Sequence, residues 1–278
     1  MTDKPHRRVR RTARIPRFYL DSDISTGQVL TLPKPASHHL VKVLRMRVEA
    51  AVELFNGDGF NYRATLIDIG QQSPGKCASL DVQERYRPET ESPLPIQLVQ
   101  AISSAERMDT TLRQSVELGV SAIQPVYTRH SIKTLDEKRL RKRMDHWLNI
   151  VVSACEQSGR TRLPELAEPV ELLQWLADVS DNPEQRPEQR PECLYLILAP
   201  QAEKSLAHYL ALDPNALDNV AVLIGPESGF DADEVDLAVS LGAHAVSFGP
   251  RILRTETAGP ACIASIQSLL GDLGSLTT

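Results

Sequence analysis

Apolar runs of a few residues alternate along the chain with amphipathic segments, and the two halves of the chain do this differently. Between residues 17 and 88 the runs are short and closely spaced. Val29–Leu32 and Val52–Phe55 read as strands. Asn56-Gly57-Asp58-Gly59 reads as a hairpin turn, with Phe60–Ile69 as the return strand and Ala78–Gln83 as another. A short helix, His38–Leu44, interrupts them. Leu40, Val43 and Leu44 form its apolar side and are expected to pack inward, which leaves His38, His39, Lys42, Arg45 and Arg47 on an exposed face.

Residues 86–95 (YRPETESPLP) have three prolines and no apolar period, the pattern of a linker. Beyond them strands and helices alternate. Ile96–Ile102 predicts a strand, followed by a helix with Met108, Leu112, Val116 and Leu118 on one side and Gly119 as its stop. Ile123–Val126 is the next strand and Asp136–Cys155 a long helix, ended by Glu156–Arg160. Val170–Val179 is a helix, Cys193–Ala199 a buried strand and Ala202–Leu212 a helix. Val220–Ile224 and Ala245–Phe248 are strands, and a last helix runs to Leu270. Such alternation implies a parallel sheet with helices on both faces. Asp181–Glu192, a polar PEQR repeat within an insertion at 180–192, has nothing to bury and reads as a disordered surface segment.

Charge changes this picture more than composition does. The net charge of −5 conceals +6 over residues 1–17, zero over 18–88 and −11 over the rest. A basic arm, residues 1–16, precedes a small neutral module, and that asymmetry is an electrostatic footprint for phosphates. No run approaches the ~18 apolar residues of a membrane-spanning helix, and the basic N-terminus lacks the apolar core of a secretory signal. The four cysteines are scattered without CxxC spacing, so neither a zinc site nor a redox motif is indicated and a cytoplasmic location is expected. The paired histidines His38 and His39 have no evident third ligand, so no metal is expected.

The chemistry concentrates between Leu223 and Ala258. Two apolar runs break into Gly-Pro turns, Gly225-Pro226 and Gly249-Pro250, and each turn leads into a helix. Asp231 with Glu234 is a capping-box pattern for the first helix, and Thr255 or Thr257 can cap the second. Strand ends facing helix starts are where open α/β sheets bind ligands. Gly225 and Gly229 have the spacing of a phosphate-binding loop, but Phe230-Asp231 follows where Lys-Ser/Thr is required, which argues against a nucleotide-hydrolysing enzyme.

The wording IGPESGF (224–230) and LRTETA (253–258), with ERMD (106–109), ELGV (117–120) and EQSGR (156–160), resembles the ribosomal RNA small subunit methyltransferase E family. This is a family of SPOUT-class RNA methyltransferases, and the resemblance covers residues 17–273. It implies a trefoil-knotted, parallel-sheet α/β methyltransferase domain over 89–278, preceded by a PUA-like RNA-binding β-barrel over 17–88. It also implies a homodimer that uses S-adenosylmethionine to methylate N3 of one uridine in the 16S rRNA of the small ribosomal subunit, the family target being U1498. The family turn reads GPEGG, and Ser228 stands here for the first closing glycine. Family lysines are replaced at Ser103-Ser104 and at Gln114, and a family arginine at His130.

On this resemblance the cofactor lies among three turns: Leu198-Ala199-Pro200; Ile224, Gly225, Pro226, Glu227 and Gly229; and Phe248, Gly249, Ile252 and Leu253, with Thr257 following. Uridine N3 is a poor nucleophile until its proton leaves, and the charge then spreads to O2 and O4. Arg254 is the candidate to stabilise that charge; its alternative is a structural pair with Glu256 or Glu227. Glu256 could orient Arg254 or accept a proton. Arg17, His38, His39, Lys42, Arg45, Arg47 and Arg160 are candidate RNA contacts. For Arg160 the alternative is a helix-end arginine that satisfies carbonyls. A non-catalytic RNA-binding assembly factor is the other functional class that fits, and cofactor binding separates the two.

Overall fold

The computed structural model describes residues 15–70, 77–131, 136–181, 193–211 and 217–274. Most of the basic arm, the PEQR insertion from residue 182 and the end of the Ala202–Leu212 segment lie outside the described residues. The chain divides into two compact units, one through Glu89 and one from Thr90.

The first unit is a five-stranded sheet. It comprises β1 (Arg17–Tyr19), β2 (Val29–Thr31), β3 (Ala51–Phe55), β4 (Asn61–Asp68) and β5 (Ser79–Tyr86), in the spatial order β1-β3-β4-β5-β2. β1 pairs with β3 in parallel and the remaining pairs are antiparallel. Alternate residues Val52, Leu54, Tyr62, Ala64, Leu66, Leu80 and Val82 point into one core, as the period of two requires.

The helix between β2 and β3 starts earlier than the pattern suggests and changes character. Helix α1 (Lys34–His38) runs into a π turn over His39–Val43, closed by the Leu44 N–H donating to the His39 carbonyl at 2.9 Å. An i→i+5 turn advances less per residue than an α-helix. Leu40 therefore stays buried, while Val43 and Leu44 rotate outward to 58% and 40% exposure. The expectation that all three pack inward fails for that reason.

The second unit is a parallel α/β domain. Its elements are β6 (Ile96–Ala101), α2 (Ala105–Glu117), β7 (Ala122–Tyr127), α3 (Glu137–Ser158), β8 (Glu165–Leu166), β9 (Val170–Glu171) and α4 (Leu172–Asp181). These are followed by β10 (Cys193–Leu198), α5 (Leu206–Leu210), β11 (Asn219–Ile224), α6 (Ala232–Ser240), β12 (His244–Val246) and α7 (Thr255–Leu270). The sheet order is β12-β10-β11-β6-β7-β8, with β9 also pairing with β7, and every pair is parallel. Val99, Ala101, Ile197, Ala221 and Leu223 face α4 and α6 across one core. Leu98 and Gln100, on the other face of β6, lie against Gly259 of α7.

Two helices are shorter than their apolar patterns. Val170 and Glu171 are taken into the sheet by pairing with Val126 and Tyr127, so α4 begins at Leu172. Among the described residues of the Ala202–Leu212 segment only Leu206–Leu210 is helical, capped by the Ser205 side chain. The long helix is longer than predicted at its end. Asp136 is its cap, and it runs three residues past Cys155 to Ser158 before closing on Gly159 in the left-handed conformation (φ 95°).

Candidate functional site

The carboxyl ends of β10 and β11 and the start of α7 meet at a cavity of about 640 Å³. Parallel pairing of β10 with β11 brings both carboxyl ends to the same edge of the sheet.

Leu198, Ala199 and Pro200 form the first wall, pinned by the Ala199 N–H donating to the Val246 carbonyl at 2.9 Å. Ile224 through Phe230 form the second. At Gly225 a Cβ would stand 2.9 Å from the Phe230 nitrogen, so the turn closes only on glycine. The Gly229 N–H donates to the Pro226 carbonyl at 2.9 Å, and the positive φ falls on Gly229 (81°). Ser228 is not among the left-handed residues, which is why a serine fits where the family has glycine. Ile252, Leu253, Thr255 and Ala258 form the third wall, and Ile252 is 84% exposed. Asp231 and Glu234 form the expected capping box on α6, and the Glu234 carboxylate also accepts the Arg129 N–H at 2.9 Å.

Phe248 and Gly249 do not line this cavity but a smaller hollow of about 80 Å³ that shares Leu198, Pro200, Ile252 and Leu253 with it. Thr257 is exposed and lines neither cavity. Thr255, two residues earlier and buried at 5% exposure, lines the cavity. Neither threonine caps α7; the cap residue is Arg254, without a side-chain capping bond. The Thr255 hydroxyl instead accepts from Gln100 Nε2 at 3.0 Å and donates to the Gly225 carbonyl at 2.7 Å. This ties α7 to the glycine turn through a fully buried glutamine near the end of β6. Gln100 carried a sequence signal, a polar residue inside IQLVQA, that the apolar period masks.

A charged cluster stands beside the same cavity. Arg107 Nη1 is 2.8 Å from Glu227 Oε1, and Arg107 Nε is 3.6 Å from Glu256 Oε2. Glu227 also accepts the Ser104 backbone N–H at 3.1 Å. Burial works against its charge, but the hydrogen bonds from Ser104, its own backbone and Arg107 prevail and hold its carboxyl below the usual range. Glu227 therefore lines the cavity with a carboxylate already committed to Arg107. Arg254 lies between the lining residues Leu253 and Thr255, its side chain 79% exposed, with Glu256 3.9 Å away.

Two residues expected to meet RNA are structural. Arg160 is 5% exposed; its guanidinium pairs with Glu91 at 2.9 Å and donates to the Val116 and Val120 carbonyls at 3.1 and 2.7 Å. The carbonyls it satisfies are those at the end of α2 and the turn after it, not those of α3, whose end it follows. Arg17 is 8% exposed, bonded to Asn61 at 2.8 Å, paired with Glu53 at 3.5 Å and stacked over Phe55. Both were misread for one reason: a sequence shows an arginine's charge but not the carboxylate folded against it. His38, His39, Lys42, Arg45 and Arg47 are exposed in the first unit, and the His39 ring meets Phe18 edge-on.

The cavity suits S-adenosylmethionine. Its volume is that of a small-molecule site. Its walls are aliphatic with backbone polar groups, matching an adenosine ring and edge, and the tight turn at Gly225 lets the main chain approach a ligand. Among the described residues no group of three or more His, Cys, Asp or Glu side chains could hold a metal ion, and no helix is long and apolar enough to cross a membrane.

Residues 90–267 match the model of the RNA methyltransferase domain, and residues 32–73 match that of the RNA methyltransferase PUA domain. The ribosomal RNA small subunit methyltransferase E of Buchnera aphidicola (Schizaphis graminum strain) is 32% identical over 94% of this chain and 98% of its own. The Neisseria gonorrhoeae protein of that name, solved bound to S-adenosyl methionine, is 37% identical and superposes with a TM-score of 0.80 over 93% of this chain and 99% of its own. A Legionella pneumophila methyltransferase solved with the bound cofactor SAM is 36% identical, with a TM-score of 0.81 over the same shares. With the RNA methyltransferase domain model matched over more than half of the chain and a methyltransferase E relative 32% identical over nearly all of both chains, this chain belongs to the ribosomal RNA small subunit methyltransferase E family of SPOUT-class RNA methyltransferases.

Proposed function

We propose that this protein binds S-adenosylmethionine between the turns after β10 and β11 and the start of α7, and methylates N3 of one uridine in 16S rRNA. The observation that carries the reading is the juxtaposition of that cavity with Arg254, a largely exposed cation set between two of its lining residues. S-adenosylmethionine supplies a methyl group already activated on a sulfonium. The chain must exclude water, align the nucleophile and stabilise its charge.

Leu198, Ile224, Leu253 and Ala258 supply the apolar walls that exclude water. The Gly225 turn, held by Thr255, fixes the ligand's position, and alignment of this kind can lower a barrier by ~7–11 kcal/mol. Loss of the N3 proton places negative charge on uridine O2 and O4, where Arg254 is placed to pair with it. Arg107 holds Glu256, so that Glu256 does not close on Arg254 and the guanidinium stays available to that charge. The family's homodimer, its cytoplasmic location and its target U1498 are part of the same reading. So is the knot, supported by the return of α7 from the edge strand β12 to the middle strands β6 and β11.

Mass spectrometry of 16S rRNA nucleosides tests the proposal. A strain lacking the protein is expected to lose 3-methyluridine and to regain it on complementation. Arg254→Ala should lower the rate by ~10²–10³, the effect of removing one preorganised charge-stabilising donor, with S-adenosylmethionine affinity nearly unchanged. Unaltered 3-methyluridine in the deletion strain would sink the assignment.

A further inference from the structure

The methyltransferase unit carries −11 from residue 89 onward, yet the first half of α3 is strongly basic: Lys138, Arg139, Arg141, Lys142 and Arg143 stand against Glu137 and Asp145. A helix in an acidic domain need not collect cations on one side, and these fall into two sets. Arg139, Lys142 and Arg143, with His146, line a groove of about 320 Å³ between α3 and the start of α2. Lys138 and Arg141 do not line it, and Arg141 is paired with Glu137 four residues earlier.

The groove has the features of a built site. Arg143 stacks over Trp147 at 5.9 Å, which keeps its guanidinium on this side of the helix. Neither Lys142 nor Arg143 has a carboxylate within ion-pair distance among the described residues. On the facing wall Ser103 is 1% exposed with a hydroxyl that has no partner, and Asp109 Oδ1 is likewise unpartnered, its other oxygen 2.8 Å from His146 Nε2. Buried polar atoms are rarely left unsatisfied unless water or a ligand completes them.

Its placement gives it a use. Ser104, next to the groove-lining Ser103, donates its N–H to Glu227 of the cofactor cavity. The groove therefore begins where the reaction site ends. A second hollow continues along the same two helices, lined by Arg113 and Glu117 of α2 and by His146 through Gln157 of α3. From Arg139 to Gln157 the track spans roughly 27 Å of helix, room for several consecutive phosphates rather than one anion.

We propose that the groove between α2 and α3 is a phosphodiester-binding track that receives the RNA strand flanking the target nucleotide. The proposal rests on the RNA-methyltransferase reading of the neighbouring cavity and adds a second contact surface to it. Lys142 and Arg143 bind phosphate oxygens, the unpartnered Ser103 hydroxyl donates to the same backbone, and Asp109 holds the His146 ring at the groove's edge.

The test compares two doubly substituted proteins of equal charge. Lys142→Gln/Arg143→Gln removes groove cations, and Lys138→Gln/Arg141→Gln removes the same charge from the rest of the helix. Binding of a 16S rRNA transcript is titrated across salt concentrations. The groove variant is expected to bind at least tenfold more weakly than the control variant. Its slope of log affinity against log salt should fall by about 1.4, since each single-strand phosphate contact contributes about 0.7. S-adenosylmethionine affinity should match the wild type. Equal weakening of both variants, or an unchanged salt slope, overturns the proposal. So does a loss confined to assembled subunits, which would assign the face to a protein partner. If the double substitution unfolds the helix, seen as lost S-adenosylmethionine binding, Lys142→Gln alone carries the comparison against Lys138→Gln with half the slope change. A groove effect on binding alongside a wild-type protein that makes no 3-methyluridine supports the track and rejects the modification assignment.

Discussion

Arg107 stands between two carboxylates, Glu227 at 2.8 Å and Glu256 at 3.6 Å, and Glu256 is within 3.9 Å of Arg254. The Glu256 carboxylate is thus shared. While Arg107 holds one oxygen, the other only grazes Arg254, whose side chain is left largely exposed and available to substrate. Without Arg107, Glu256 would be free to close on Arg254 and neutralise it. Arg107→Ala should therefore lower kcat, and adding Glu256→Gln to that variant should restore part of it, because a neutral amide does not compete for the guanidinium. Steady-state kinetics on 16S rRNA checks this. If Arg107 merely braces the fold, the second substitution brings no recovery.

At the scale of elements, the joint that matters is between α7 and the turn after β11. A parallel sheet delivers strand ends to one edge, but nothing in the sheet fixes where a helix from an edge strand lands. Here Gln100 and Thr255 fix it through two hydrogen bonds that end on the Gly225 carbonyl. Thr255→Val keeps the shape and removes the hydroxyl, leaving the buried Gln100 amide and the Gly225 carbonyl each short of a partner. A loss of ~1–3 kcal/mol in unfolding free energy is expected, with a weaker S-adenosylmethionine affinity by calorimetry. Thr255→Ser should retain both within a few-fold. An affinity equal to wild type in the valine variant would show that the joint does not shape the cavity. Legibility varies at this scale. The capping box on α6 and the stop at Gly119, left-handed at φ 88°, could be read directly, because both depend on neighbours in sequence. The π turn at His39–Val43 and the capture of Val170-Glu171 by β7 could not, because each depends on partners far along the chain or on a change in helix pitch.

For the molecule as a whole, ion pairs around the cavity couple stability to pH. Glu227 has a folded-state pKa below its ordinary 4.5, despite the opposing effect of burial, through Ser104, its own backbone and Arg107. A depressed carboxyl binds its proton less readily folded than unfolded, so its contribution is full above pH 4.5 and is lost as pH falls through the folded value. The melting-temperature gap between wild type and Glu227→Gln should be constant near neutrality and shrink below pH 4.5. Persistence of the gap in acid would mean the glutamate acts by shape rather than by charge. Buried Cys262 in α7 gives a second whole-molecule readout. Burial pushes its thiol up to about 12, so alkylation at mildly alkaline pH should wait on unfolding and report the global transition.

The sequence by itself determined what local chemistry can specify. Alternating apolar runs gave a strand-rich module followed by a parallel α/β unit, the Gly225-Pro226 break marked the end of β11 at the cavity, and the motif wording named the family. Tertiary structure decided what depends on residues distant in sequence. It withdrew Arg17 and Arg160 from the surface by folding Glu53 and Glu91 onto them, and replaced Thr257 with Thr255 at the cavity. It also bound Glu227 to Arg107, and gathered one side of α3's charge into a groove. The reason is physical. Period and turn chemistry are properties of adjacent residues, whereas whether a charge meets water, a ligand or an opposite charge is settled only when the chain has closed on itself.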